Sequence, residues 1–156
     1  MKKIGVLLNN LGPSQLNYYF IKSTNELLAK RTDLDIVVFY ENLQVKCLPT
    51  NFASMPILEA WNFHGPMIAT SLSTAAHLIR FPSSCKKIFY INDLEWIRLK
   101  NKNFSVLQSV YSSKELTLIA RSNDHKNIIE NCWNTKVIAV ADRLEVKTFE
   151  SFTFSS

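Results

Sequence analysis

The chain has 156 residues, of which 47% are hydrophobic and 20% charged, so it carries enough apolar side chain to close one core and is neither disordered, collagen-like nor mucin-like. Its 18 Lys and Arg outnumber 13 Asp and Glu, for a net charge of +5. The excess favours an anionic ligand or partner, but it is scattered over Lys2-Lys3, Lys30-Arg31, Lys86-Lys87 and the run 98–102, without the dense stripe of a nucleic-acid binder. Residues 4–8 form a continuous apolar run followed by Asn9, Asn10, Leu11, Gly12 and Pro13, as where a strand buried on both faces turns into a helix, with Pro13 expected at the first helical position. The helix predicted over 14–31 sets Leu16, Phe20, Leu27 and Leu28 near one face and ends in Lys30-Arg31, where cations suit the dipole.

A second buried strand follows at 36–40. The segment 42–65 carries Pro49 and Pro56 with no clean period and reads as loop, with one short helix or strand around 57–61. Residues 66–70 resemble a third strand, and Ser71, with Ser73 and Thr74, caps a helix reaching to about Phe81. KIFYI at 87–91 is a fourth strand. Asp93 then opens a helical stretch, broken at 101–103, with Trp96, Leu99, Val106, Leu107 and Val110 on one side. A strand at 116–120, a helix at 123–133, a strand at 137–140 and a helix at 143–152 complete the order. Apolar runs alternating with helices predict an α/β, doubly wound, mainly parallel sheet of about six strands, a Rossmann-like single three-layer domain over 1–156.

In such a sheet ligands sit beyond the carboxyl ends of the strands, near the point where strand order reverses. The polar residues expected there are Asn9, Asn10 and Gly12, then Glu41, Thr70 and Ser71, then Asn92 and Asp93, then Arg121 and Ser122, then Asp142 and Arg143. Helix capping alone would select Ser71, Asp93 and Asn123. The first turn has a single glycine, too few for a pyrophosphate to approach the backbone, so NAD and FAD are not expected. A GxxxxGK[ST] loop is absent. Asp93 and Glu95 have chelate spacing, but an N-cap followed by an acid in a first helical turn explains them without a metal. Neither a cofactor nor a metal is expected.

His77 falls within an apolar helix, whereas His64 and His125 adjoin loops and are better placed for acid–base work. Ser122, Asp124 and His125 lie too close in sequence for a hydrolytic triad, and there is no GxSxG elbow, so no catalytic residue is named. Cys47, Cys85 and Cys132 are far apart, odd in number and without a CxxC pair, which points to neither zinc ribbon nor disulfide framework and to a reducing cytoplasm, a host's if the chain is viral. The apolar N-terminus is cut short at Asn9 and Asn10, too early for a signal peptide, and no segment approaches a membrane span. Abundant Lys, Asn, Ile, Phe and Ser with three glycines suits an AT-rich coding genome, bacterial or viral.

The stretch LTLIARSNDHKNIIENCWNTKVIAVADRLEVKTF at 116–149, with KKIFYINDLEWIR at 86–98 and the opening KKIGVLLNN, resembles the N-terminal domain of GT-B glycosyltransferases in the order and spacing of its elements. In that family a strand ending in serine precedes a helix like the one over 124–133, and a further strand leads toward a second domain. The resemblance implies a cleft for an acceptor or small anionic ligand, of sugar or nucleotide type, lined by Asn9, Asn10, Gly12, Ser71, Asp93, Arg121 and Ser122. It implies no sugar transfer by this domain alone, because the second, donor-holding domain and its E-x7-E motif are missing; activity would require a donor-binding partner. The alternative is a non-enzymatic interaction or assembly subunit of a bacterial or phage complex, dimeric or bound to another protein, with Met55, Ile57, Leu58, Trp61 and Phe63 as either an exposed apolar interface or core.

Overall fold

The apolar runs pair edge to edge. In the computed structural model, which describes residues 1–82, 85–99 and 104–154, they form strands β1 (Lys2–Leu8), β2 (Leu34–Tyr40), β3 (Ala53–Pro56), β4 (Met67–Ala69), β5 (Lys87–Ile91), β6 (Leu116–Ala120) and β7 (Val137–Val140). All pair in parallel, in the order β3-β2-β1-β4-β5-β6-β7. The helices are α1 (Gln15–Lys30), α2 (Leu72–Arg80), α3 (Phe104–Tyr111), α4 (Asn123–Trp133) and α5 (Val146–Thr153), with short 3-10 turns at Ile57–Asn62 and Glu95–Ile97. The domain is Rossmann-like, α/β and three-layered.

Parallel strands covered on both faces bury every side chain, and alternate residues serve opposite layers. Ile4, Val6 and Leu8 of β1 pack with Phe20 and Ile21 of α1 and Phe149 of α5. Leu7, one step out of phase, packs in the other layer with Ala75 and Leu78 of α2, Val110 and Tyr111 of α3 and Ile129 of α4. Gly5 is a point of close approach in this second layer, since a Cβ there would lie 3.0 Å from both Met67 and Phe63. Lys87 is buried at the start of β5, where its Nζ donates to the carbonyl oxygen of Phe81 at 2.7 Å and closes the C-terminus of α2.

The sheet has seven strands, one more than expected. The added β3 lies in the segment expected to be loop; as an edge strand of sequence ASMP, with Ala53, Met55 and Pro56 exposed, it has no alternating apolar pattern to announce it. Both edges are blunt: β3 ends at Pro56, and the pairing of β7 slips in register between Leu118 and Ile119. The segment from Phe52 to Phe63 is split between core and surface. Phe52, Ile57 and Ala60 are buried, while Met55, Leu58 and Trp61 are exposed.

Helix starts or caps differ from expectation at four places. Pro13 precedes the cap instead of occupying the first helical position, because the Ser14 side chain accepts the Asn17 N–H and takes the N-cap role itself. Ser122, not Asn123, caps α4. Asp93 caps nothing: it pairs with Arg98, and the 3-10 turn after it begins at Leu94 without a side-chain cap. The last helix starts at Val146, after Leu144 has turned into the core, and the expected break at 101–103 lies outside the described residues. Among the described residues, no helix is long and apolar enough to cross a membrane.

Candidate functional site

Strand order reverses between β1 and β4, and the chain leaves these neighbours for opposite faces, through α1 and α2. The gap between the two departing loops is the place a parallel sheet leaves for a ligand. A cavity of about 440 Å³ lies there, lined by Asn9, Asn10, Gln44, Ser71, Asn92, Asp93 and Glu95 among others.

The wall on the α1 side is fixed by buried Asn17. Its Nδ2 donates to the carbonyl oxygens of Gly12 at 2.8 Å and Asn10 at 2.9 Å, while the Asn10 side chain accepts the Gly12 N–H at 2.9 Å. The loop thereby meets its backbone hydrogen bonds internally. Gly12 is buried and does not line the cavity; its lack of a side chain makes room for Gln44, whose Oε1 would lie 2.2 Å from a Cβ at that position.

On the α2 side, polar groups satisfy one another. Ser71 and Thr74 form a capping box: the Ser71 Oγ accepts the Thr74 N–H at 3.2 Å, and the Thr74 Oγ1 accepts the N–H groups of Ser71 at 2.9 Å and Thr70 at 3.1 Å. The Ser71 hydroxyl lies 2.7 Å from the Asn9 side-chain oxygen, to which it donates. The Leu72 N–H donates to the Glu95 carboxylate at 2.6 Å, so the anion position at this helix N-terminus is filled by a residue of the protein. Burial pushes the Glu95 carboxyl up and the charge of Glu41 adds to that, while the Leu72 N–H opposes both. Glu41 in turn accepts from the Ser73 hydroxyl at 2.7 Å and lies 3.7 Å from the His77 Nε2.

Leu16 and Asn92 also line a neighbouring depression of about 190 Å³, whose other walls include Gln15, Tyr19, Arg121, Asp142 and Arg143. Here charge is left unmatched. The Arg143 guanidinium lies over the Tyr19 ring, 4.2 Å from its centroid, and neither Arg121 nor Arg143 is ion-paired among the described residues. Beside them the buried Tyr90 hydroxyl donates to the Ala141 carbonyl at 2.8 Å. Burial pushes that phenol up to about 12, with Arg121 pulling down and Asp142 pushing up.

Of the residues expected to line a cleft, Asn9, Asn10, Ser71 and Asp93 share the main cavity, Arg121 lies in the adjoining depression and Gly12 sits behind the wall. Ser122 lines neither, and its Oγ accepts the His125 N–H as a helix cap. Sequence reasoning passed over Gln44, Asn17 and Tyr19, which lie in a patternless loop and inside a helix. Arg143 stood at a strand end like the chosen residues and was not singled out. Asp93 and Glu95 turn to different partners, Arg98 and the Leu72 N–H. No group of three or more His, Cys, Asp or Glu suited to a metal occurs among the described residues. A larger groove of about 750 Å³ between α1 and α5 is lined by charges that face one another: Arg31 bonds Asp33 and Glu150, and Lys2 pairs with Glu150. No family model matches the chain, and no curated protein or solved structure matches it either.

Proposed function

We propose that the chain is a binding domain of the kind that forms the N-terminal half of GT-B glycosyltransferases, holding an acceptor or small anionic ligand of sugar or nucleotide type at the switch point. One observation carries this reading: the amide- and carboxylate-lined cavity and the arginine-bearing depression adjoin, sharing Leu16 and Asn92. Amides and carboxylates are donors and acceptors suited to hydroxyl groups, and guanidinium groups are suited to an anion. The first loop supports recognition by side chains rather than by free backbone, because Asn10, Gly12 and Asn17 bond one another. Binding of this ligand, not transfer, is the role proposed for the cleft.

Titration of glucose, glucose 6-phosphate and UDP-glucose into the ¹⁵N-labelled chain tests this. Binding should move the side-chain amide resonances of Asn9, Asn10 and Asn92 first, and Asn92→Ala should weaken it about tenfold. Shifts dispersed over the surface, or none with any of the three, refute it. A second reading, an interaction subunit, draws on the exposed Met55, Leu58 and Trp61 beside the β3 edge. Sedimentation equilibrium separates it: self-association abolished by Leu58→Asp with Trp61→Ser would favour it, and a monomer at high concentration counts against a homodimer.

A further inference from the structure

The depression beside the main cavity has a chemistry of its own. Arg121 follows β6 and Arg143 follows β7, so the parallel pairing of these neighbouring strands brings two guanidinium groups to one small hollow. Two cations that line one small hollow repel each other unless an anion lies between them. Among the described residues, the only carboxylate lining the hollow is Asp142, and neither arginine is within ion-pair distance of it. Two arginines against one aspartate leave an excess positive charge. The Arg143 guanidinium carbon lies 4.2 Å from the Tyr19 ring centroid, and no ion pair among the described residues engages this side chain.

We propose that Arg121 and Arg143 form a subsite for a phosphate monoester group of the ligand. A phosphate monoester suits such a pair, because its dianionic charge and three terminal oxygens can engage two guanidinium groups at once. The amides of Gln15 and Asn92, which line the same hollow, add donors. Because Leu16 and Asn92 belong to both depressions, a phosphate held here would leave the body of the ligand facing Asn9, Asn10 and Asp93. The ligand class is then a hydroxyl-rich phosphate monoester such as a sugar phosphate. This assignment rests on the reading of the switch-point cleft given above and adds the identity of its anionic end.

Inorganic phosphate alone tests the subsite. Titrated at low ionic strength into the full ¹⁵N-labelled chain, it should shift the Arg121 and Arg143 Nε–Hε resonances saturably. Arg121→Gln and Arg143→Gln should each weaken the phosphate affinity about tenfold, and Asp142→Asn should tighten it several-fold, each variant retaining the wild-type far-ultraviolet circular dichroism. Non-saturable shifts, or saturation unchanged in the double variant R121Q/R143Q, overturn the subsite. Glucose and glucose 6-phosphate then separate the two proposals. If the cleft binds sugar but the arginines play no part, both compounds move Asn92 equally and R121Q/R143Q changes neither affinity, which refutes the subsite and spares the cleft. If the arginines hold phosphate but the cavity binds no sugar, glucose 6-phosphate binds no tighter than inorganic phosphate, which upholds the subsite and refutes the cleft.

Discussion

The two sides of the switch point are both lined by polar side chains but differ in how much of that polarity the protein satisfies itself. Around the start of α2, Asn9, Ser71, Thr74 and Glu95 hydrogen-bond to one another or to the first backbone N–H groups of the helix. Around the start of α1, Arg121 and Arg143 are without a carboxylate partner among the described residues. Polar groups that complete each other fix the shape of a cavity, and a bound molecule must compete with bonds already made. Charges left unmatched at a mouth are available to something from outside. The α2 side is therefore closed on itself, whereas beside the α1 wall, itself tied by Asn17, two arginines stay without a carboxylate partner among the described residues, a contrast that mutation can break or sharpen.

The largest effect is expected at Thr74. Its replacement by valine keeps the shape but leaves the buried N–H groups of Thr70 and Ser71 without their acceptor, which should cost about 2–3 kcal/mol in urea unfolding. A loss under about 0.5 kcal/mol would mean that the α2 wall is not held by the capping box. Asn17→Ala comes next, at about 1–2 kcal/mol, because the carbonyls of Asn10 and Gly12 lose a donor. It should also broaden the backbone resonances of the first loop; a sharp, unshifted loop would contradict its role as the tie of the α1 wall.

Glu95 gives a smaller effect with a defined sign. Its carboxyl is raised above the ordinary 4.5 in the folded protein, so the folded state holds the proton more tightly than the unfolded chain does. Glu95 should therefore cost stability as pH rises from about 4.5 through its folded value, and Glu95→Gln, which can still accept the Leu72 N–H, should gain on wild type over that window. The groove between α1 and α5 works in the other direction. The Arg31 guanidinium lowers Asp33 from 3.8 to about 2, and it lowers Glu150 as well. That contribution is present above the unfolded value and fades as pH falls toward 2, a trend Asp33→Asn should flatten in acid unfolding. The smallest change in stability, within about 0.5 kcal/mol, is expected of R121Q/R143Q. A larger loss would show that these arginines hold the fold and would weaken the contrast between the two walls.

The internal strands and most helix spans were legible in the chain because their signals are local. KIFYI and LTLIA are continuous apolar runs, and Ser71 ahead of a helical pattern reads as an N-cap, a role the structure bears out. β3 was not legible, since an edge strand with three of its four residues exposed needs no apolar pattern and forms only because β2 presents a free edge to it. The start of α1 and the cap of α4 differ from expectation by one or two residues for a related reason. Pro13 and Asn123 suit a helix start about as well by residue type, and the hydrogen bonds to the N–H groups of Asn17 and His125 decided between them.

The candidate site divides in the same way. That polar side chains would crown the strand ends follows from alternating buried strands and turns, and Asn9, Asn10, Ser71 and Asp93 could be named on that basis. Which crowns touch does not follow, because it depends on strand order, and strand order is set by pairing between segments far apart in the chain. Placing β1 beside β4 joins Asn9 to Ser71, and placing β6 beside β7 brings Arg121 and Arg143 to one hollow. The amino-acid sequence alone determined the layers, the segments that cross them and the polar character of the rim, through short-range periodicity and capping. Only the tertiary structure decided which rim charges meet a partner inside the protein and which, among the described residues, do not.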